Sequence, residues 1–287
     1  MTPVPSPASL RLVLLVALLG VLGTAARPSH AQPARPDTLR VLTLNLWHDQ
    51  RDWPARLEWL VEQAAALRPD VVMLQEVLQD VHLENQATTI ARRLGLPYVH
   101  FVSTDSATRA RRYGNAIASR FPFEATAERR LRPHDQYRTA AFARIRVGNR
   151  PVRLYSTHLH HMADAEGSGI RAMQIVDLLD FVASTAQPGA PFVLGGDFNC
   201  EPDSPEMRLM SPFRDVAAVR YASGPTFGVA YGLALPGRRI DYLFDDPDAG
   251  LSVDAAHVVL NRPNGAGVWA SDHFGVAARF VLYEVLR

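Results

Sequence analysis

A chain of 287 residues that is 47% hydrophobic and 21% charged has the composition of a globular protein with a sizeable core, which excludes a disordered chain. A formal net charge of +1 excludes capture of nucleic acid or an anionic membrane by global charge alone. All 30 basic residues are Arg and the one cysteine is Cys200, so an intramolecular disulfide is excluded and stability must come from packing.

Arg11 precedes an apolar run from Leu12 to Gly23, too short to span a bilayer comfortably, and small residues offer cleavage after Ala26 or Ala31. Residues 1–31 therefore read as a signal peptide, with an uncleaved anchor as the alternative, and the Pro-rich residues 32–38 as a linker. The protein is expected to be secreted or periplasmic, with no stable membrane insertion once the leader is removed. Residues 39–287 read as one domain. Leu39 to Leu46 alternates like a strand, Pro54 to Leu67 carries a helical apolar stripe, and Val71 to Glu76 is an apolar strand ending in a carboxylate. A second helix fits Val81 to Leu94, closed by Gly95. Strands follow at Tyr98 to Val102, Asn115 to Ser119, Ala140 to Val147 and Val152 to His158, then a helix at Ile170 to Ala183. The Phe192 strand and a short helical piece near Glu206 to Met210 come next, with strands at Ile240 to Phe244, Leu251 to Leu260 and Phe274 to Tyr283. The fold class is α/β (α+β), with mixed sheets and helices packed outside them.

Several of these strands end in polar residues that a core would not choose. In Gly196-Asp197-Phe198-Asn199 the carboxylate and the amide lie two residues apart at a strand exit, where side chains repeat direction. A plain turn is the alternative there. Asn45 and Glu76 end the first two strands, and an amide oxygen beside a carboxylate suits a hard divalent cation such as Mg²⁺. His158 closes its strand, with His160 and His161 beyond it. Asp241 and His273, after Ser271-Asp272, are types in which the acid fixes the imidazole tautomer. Cys200 reads as a small packed side chain.

Thr43-Leu44-Asn45, Leu74-Gln75-Glu76, Tyr113-Gly114-Asn115-Ala116, Ser156-Thr157-His158-Leu159, Gly196-Asp197-Phe198-Asn199, Ile240-Asp241-Tyr242 and Ser271-Asp272-His273 occur in the order seen in the endonuclease/exonuclease/phosphatase superfamily. The chain resembles that superfamily from about Leu39 to Tyr283. The group includes pancreatic-type deoxyribonucleases, apurinic endonucleases, bacterial sphingomyelinases and inositol-phosphate phosphatases. The resemblance implies a four-layer sandwich, two mixed β-sheets face to face with helices on the outer faces, and a site at one edge. It implies a metal-dependent phosphoric ester hydrolase in which Glu76 is the principal Mg²⁺ ligand, with Asn45 and Asp272 beside it and Mn²⁺ as an alternative ion. Asp197 is then expected to orient or deprotonate the attacking water, and Asn199 to hold that carboxylate or a phosphate oxygen. His273, braced by Asp241, and His158 would face the phosphate, with Asn115 as a supporting contact.

The substrate is less constrained. Arg109, Arg111 and Arg112, and Arg129, Arg130, Arg132, His134 and Arg138, could rim the site and draw in nucleic acid, or form a solvated loop in an Arg-biased chain. Trp47 and Trp269 could wall the site or pack in the core. The leading expectation is an exported monomer that hydrolyses a phosphodiester in a nuclease-like manner. The alternatives are a sphingomyelinase-like or inositol/sugar phosphate phosphoesterase, a non-catalytic binding or toxin-like module on the same fold, and a zinc hydrolase using His158, His160 and His161.

Overall fold

The computed structural model describes Met1 and residues 37–220, 224–232 and 236–283; the expected leader after Met1 and residues 32–36 of the linker lie outside the described residues. Contacts divide the chain into Met1–Arg35 and Pro36–Arg287. In the second unit β1 (Thr38–Asn45), β2 (Val71–Gln79), β3 (Tyr98–Ser103), β4 (Arg112–Ser119), β11 (Leu251–Val259) and β12 (Gly275–Leu282) form one sheet, ordered β11-β12-β1-β2-β4-β3. The other sheet holds β5 (Ala125–Leu131), β6 (Arg138–Val147), β7 (Arg150–His158), β8 (Phe192–Asp197), β9 (Arg214–Asp215) and β10 (Asp241–Asp245), ordered β5-β6-β7-β8-β10-β9. The pairs β1/β2 and β7/β8 are parallel and the rest antiparallel. Parallel neighbours need a crossover, and the two crossovers carry α1 (Trp53–Leu67) and α3 (Ala165–Ser184).

Period-two alternation decides the layers. Leu39 and Val41 of β1 join Met73, Ile117, Ala141, Leu154, Val193 and Leu243 between the sheets. Leu42 and Leu44 point the other way, to Leu60, Val61 and Ala64 of α1 and Ile90 of α2 (Gln86–Leu94). On the far side, Tyr155, Phe192, Leu194 and Phe244 pack under Ile175, Leu178 and Phe181 of α3. Helix, sheet, sheet, helix is the four-layer sandwich expected from the motifs. Part of the interlayer core is polar: Gln75 Nε2 donates to Ser156 Oγ at 3.1 Å, and Asn115 Nδ2 donates to Thr139 O at 2.9 Å. These bonds cross between the sheets and pin their mutual register.

Several elements depart from the sequence reading: β9 is not foreseen there, β4 begins at Arg112 rather than Asn115, and β5, α2 and α3 differ for local reasons. β5 is an edge strand whose half-buried residues alternate with exposed Thr126, Glu128 and Arg130, so its charged composition hides it. α2 begins at Gln86 rather than Val81, because Asp80 Oδ1 accepts from His82 N and Leu83 N in a turn, and Asn85 caps the helix through Thr88 N. α3 begins at Ala165, where Asp164 Oδ1 accepts from Gly167 N at 2.8 Å.

Arg171 of α3 secures the chain just beyond β7. It is buried, pairs with buried Glu206 at 2.7 Å, and donates to the carbonyls of His160 and Met162. Arg171→Ala would leave a buried carboxylate unpaired and is expected to lose about 3–5 kcal/mol in urea denaturation. Burial works against ionised Glu206, but Ser168, a backbone N–H and Arg171 outweigh it and hold its carboxyl below the ordinary value. A lowered folded pKa contributes stability that is complete above the unfolded value and lost as pH falls. The Arg171→Ala penalty should therefore shrink below about pH 4, and a penalty independent of pH would contradict this.

Candidate active site

β7, β8 and β10 lie side by side, and their register sets His158 opposite Asp197 and Asp197 opposite Asp241 at one edge of the sandwich. Close approach of β8 to β7 depends on Gly196, where a Cβ would fall 2.1 Å from Thr157 O. Asp197 is buried, and its oxygens are addressed from both sheets. Oδ2 accepts from Asn45 Nδ2 of β1 at 2.9 Å, and Oδ1 accepts from the backbone N–H of Asn199 at 2.9 Å. His158 Nε2 stands 3.4 Å and His273 Nε2 3.8 Å from Asp197 Oδ2. His273 Nδ1 lies 2.9 Å from Asp241 Oδ2, which favours the proton on Nδ1 and turns Nε2 toward Asp197. The Phe227 ring covers the imidazole at 4.7 Å.

Electrostatics divide the labour among these groups. Burial, reinforced by the Asp241 charge, raises the Asp197 carboxyl above the ordinary range. Burial opposes charge on His273, but Asp241 and Asp197 outweigh it and raise its pKa. Burial, with Arg138 and His273 nearby, pushes His158 well below the ordinary value. The edge thus presents a cationic and a neutral imidazole to one carboxylate.

Glu76 reaches the site in an unexpected way. β2 does not end there; it runs to Gln79 through a register slip between Leu74 and Val77, and Glu76 takes a positive φ of 55°. Such a bulge re-aims a side chain: Gln75 enters the interlayer core, while Glu76 is half-buried, 4.0 Å from His48 Nε2. Burial, together with the nearby Glu76 carboxylate, raises the Tyr113 phenol pKa. Ser271 Oγ donates to Asn45 O at 2.7 Å and lies 3.3 Å from Asp272 Oδ1, which brings Asp272 to the end of β1. Burial raises the Asp272 pKa, His273 opposes the rise, and the Glu76 charge adds to it. Asn45 Oδ1 accepts one bond, from Trp47 N at 2.9 Å. Two mutually repelling carboxylates and an amide oxygen with a spare lone pair fit a hard divalent cation. Asp197, Asp241 and His273 are a second set, with ligand atoms within 4.8 Å of one another. The Asp197 oxygens, Asp241 Oδ2 and His273 Nδ1 already bind one another or Asn45 and Asn199, whereas His273 Nε2 stands 3.8 Å from Asp197 and Asp241 Oδ1 is buried without a hydrogen-bond partner among the described residues.

Not every expected residue joins this cluster. The Asn199 side chain donates to Leu159 O at 3.1 Å, so it is the backbone N–H that meets Asp197, enabled by a φ of 54°. Asn115 is committed to Thr139. His160 is buried, with its N–H on Gln174, while exposed His161 lies 3.5 Å from Arg138 Nη2; the three histidines do not form a metal cluster among the described residues. Arg109 pairs with Asp105, Arg111 with Asp80 and Arg132 with Asp177 on α3, while Arg129 lies over Phe181. Burial pushes the Cys200 thiol up to about 12, in keeping with a packed side chain.

Sequence inspection passes over Arg56, Tyr113, Phe227 and Tyr231. Arg56, fully buried in α1, donates to the carbonyls of Leu46, Trp47, His48 and Gln50 and so shapes the loop after Asn45. Trp47, Tyr231 and Trp269 form a half-buried aromatic row beside it, with ring centroids 5.5 and 6.4 Å apart. Tyr113 had a signal in its Tyr-Gly-Asn-Ala motif; the others had none.

A family model described as Endonuclease/Exonuclease/phosphatase family matches residues 42–273. A Caenorhabditis elegans protein named "Putative neutral sphingomyelinase" is 25% identical over 303 residues, 87% of this chain and 68% of that protein. The crystal structure of an endonuclease/exonuclease/phosphatase from Beutenbergia cavernae DSM 12333 is 26% identical with a TM-score of 0.69, covering 86% of this chain and 72% of that one. The crystal structure of D. rerio TDP2 complexed with single strand DNA product has a TM-score of 0.70 at 18% identity, covering 85% and 98%; that likeness is one of fold.

Proposed function

Because the chain belongs to the endonuclease/exonuclease/phosphatase family, whose members are hydrolytic phosphoesterases, we propose that it hydrolyses phosphodiesters by in-line attack of a water activated by Asp197. The observation that carries this reading is the carboxylate of Asp197, buried and braced from both sheets, with His158 Nε2 at 3.4 Å and His273 Nε2 at 3.8 Å. A phosphate seated there would place its non-bridging oxygens against two imidazoles and its attacking water against a carboxylate. Asp197 takes the proton of that water. His273, kept charged by Asp241, donates to an oxygen on which negative charge develops, and neutral His158 donates a second bond. No covalent intermediate is required. Asn45, Glu76 and Asp272 are the residues that would hold a divalent cation, Mg²⁺ or Mn²⁺, which when bound supplies Lewis-acid stabilisation of developing charge.

A nucleic-acid diester is the first reading of substrate, supported by a protein of the same fold that holds a single-stranded DNA product. The second is sphingomyelin, favoured by the named C. elegans relative. The leader read in residues 1–31 would put the activity in the periplasm or outside the cell. Among the described residues no helix is long and apolar enough to cross a membrane.

The test is turnover of single- and double-stranded DNA, sphingomyelin and inositol phosphates, assayed side by side with Mg²⁺ and then with chelator. DNA cleavage that chelation abolishes is expected. Glu76→Gln should raise the Mg²⁺ concentration giving half-maximal rate by at least about tenfold, since even supporting groups of metal sites are worth that much. Turnover of sphingomyelin above DNA would select the second reading, and activity indifferent to chelation would remove the cation.

A further inference from the structure

We infer that Arg51 forms a separate anion subsite beside the catalytic edge, which takes a non-scissile phosphate of a nucleic-acid strand; this rests on the phosphodiester reading above. Arg109, Arg111 and Arg132, which could draw in an anion, are paired with carboxylates. Arg51 is not so paired. Among the described residues no carboxylate pairs with it, and its Cζ lies 4.5 Å from the Tyr231 ring centroid and 5.7 Å from that of Trp47. A guanidinium stacked on aromatic faces keeps its in-plane N–H donors free for phosphate oxygens.

The subsite is preorganised and tied to the reacting edge. Arg51 sits in the loop whose carbonyls at Leu46, Trp47, His48 and Gln50 are gripped by buried Arg56. Trp47, one of the two rings beneath it, donates its backbone N–H to Asn45 Oδ1 at 2.9 Å, and Asn45 in turn donates to Asp197. The Tyr231 hydroxyl donates to Trp269 O at 3.0 Å, which fixes the other ring. The same geometry argues against a quaternary-ammonium headgroup on this row. An aromatic cage needs a bare face, and here a guanidinium already occupies the Tyr231 face.

The test is equilibrium binding of a fluorescein-labelled single-stranded oligonucleotide to the Asp197→Asn chain across a salt titration, with and without Arg51→Gln. Arg51→Gln is expected to weaken binding about five- to tenfold and to reduce the slope of log K against log salt by about one. Arg51→Lys should restore much of the slope but less of the affinity. Arg208→Gln, which removes an exposed charge from the turn Pro205–Met210, should do neither. In the otherwise wild-type chain, Arg51→Gln should raise KM for the oligonucleotide at unchanged kcat and leave bis(p-nitrophenyl) phosphate, which has no second phosphate, unaffected. Equal affinity and slope with and without Arg51→Gln, or an equal loss on the single-phosphate ester, would overturn the subsite. So would weakened binding to sphingomyelin vesicles with oligonucleotide binding intact, which would make this a lipid contact. Salt-dependent binding that needs Arg51 but leads to no hydrolysis would instead retire the proposed activity and leave the subsite standing.

Discussion

Asp197→Asn is expected to lower kcat/KM by about 10³-fold, within the range set by loss of a positioned proton acceptor. The change is nearly isosteric, so the seat of the side chain between Asn45 and Asn199 persists in outline while its proton affinity disappears. Loss of activity could otherwise be mistaken for loss of fold, and the electrostatics separate the two. Burial and the neighbouring Asp241 charge both disfavour ionised Asp197, which offsets the loss of one accepted bond where the amide NH2 meets a donor, Asn45 Nδ2 or Asn199 N–H, so the melting temperature at neutral pH should change little. A variant that keeps more than about a tenth of the activity, or one that melts several degrees lower, would count against the assigned role.

The second large effect is expected at the Asp241 and His273 pair. Asp241→Asn and His273→Gln should each lower kcat/KM by about 10²–10³-fold, the scale of removing a preorganised donor to developing charge. The double variant should be little worse than the poorer single one, because Asp241 acts mainly through the imidazole it holds at 2.9 Å. Additive losses would mean that Asp241 touches the substrate independently. The pH profile gives a second readout. Asp241 supplies much of the force that keeps His273 protonated against burial, so its removal lowers the imidazole pKa. The alkaline limb of the rate profile should then move to lower pH in Asp241→Asn, while Asp197→Asn at residual activity should lose the acidic limb.

The relation between chain and site is clearest in Glu76, Asn199 and Arg56. Glu76 reads correctly as a carboxylate among apolar neighbours, yet as a strand terminus; only pairing with β4 shows the bulge that turns it out of the sheet while Gln75 turns in. Asn199 reads as a side chain that would steady Asp197, whereas its positive φ delivers the backbone N–H instead. Arg56 reads as one Arg among 30 basic residues on a helix, although it organises the loop that follows Asn45.

The order of strands and helices, the polar ends of β1, β7 and β8 and the chemical types they carry were set by local pattern, while the four layers and the convergence on one edge were implied by the resemblance of the motifs to a family. Strand periodicity, capping side chains and short motifs act within a few residues, and the chain states them directly. The bracing of His273 by Asp241 was already implied by the resemblance, and the two lie 2.9 Å apart; the meeting of Asn45 with Asp197 across two sheets and of Arg51 with Tyr231 joins residues 152 and 180 positions apart (197 − 45 and 231 − 51). Such contacts follow from which strands pair and how two sheets stack, through burial that has no sequence period, and only the folded chain decides them.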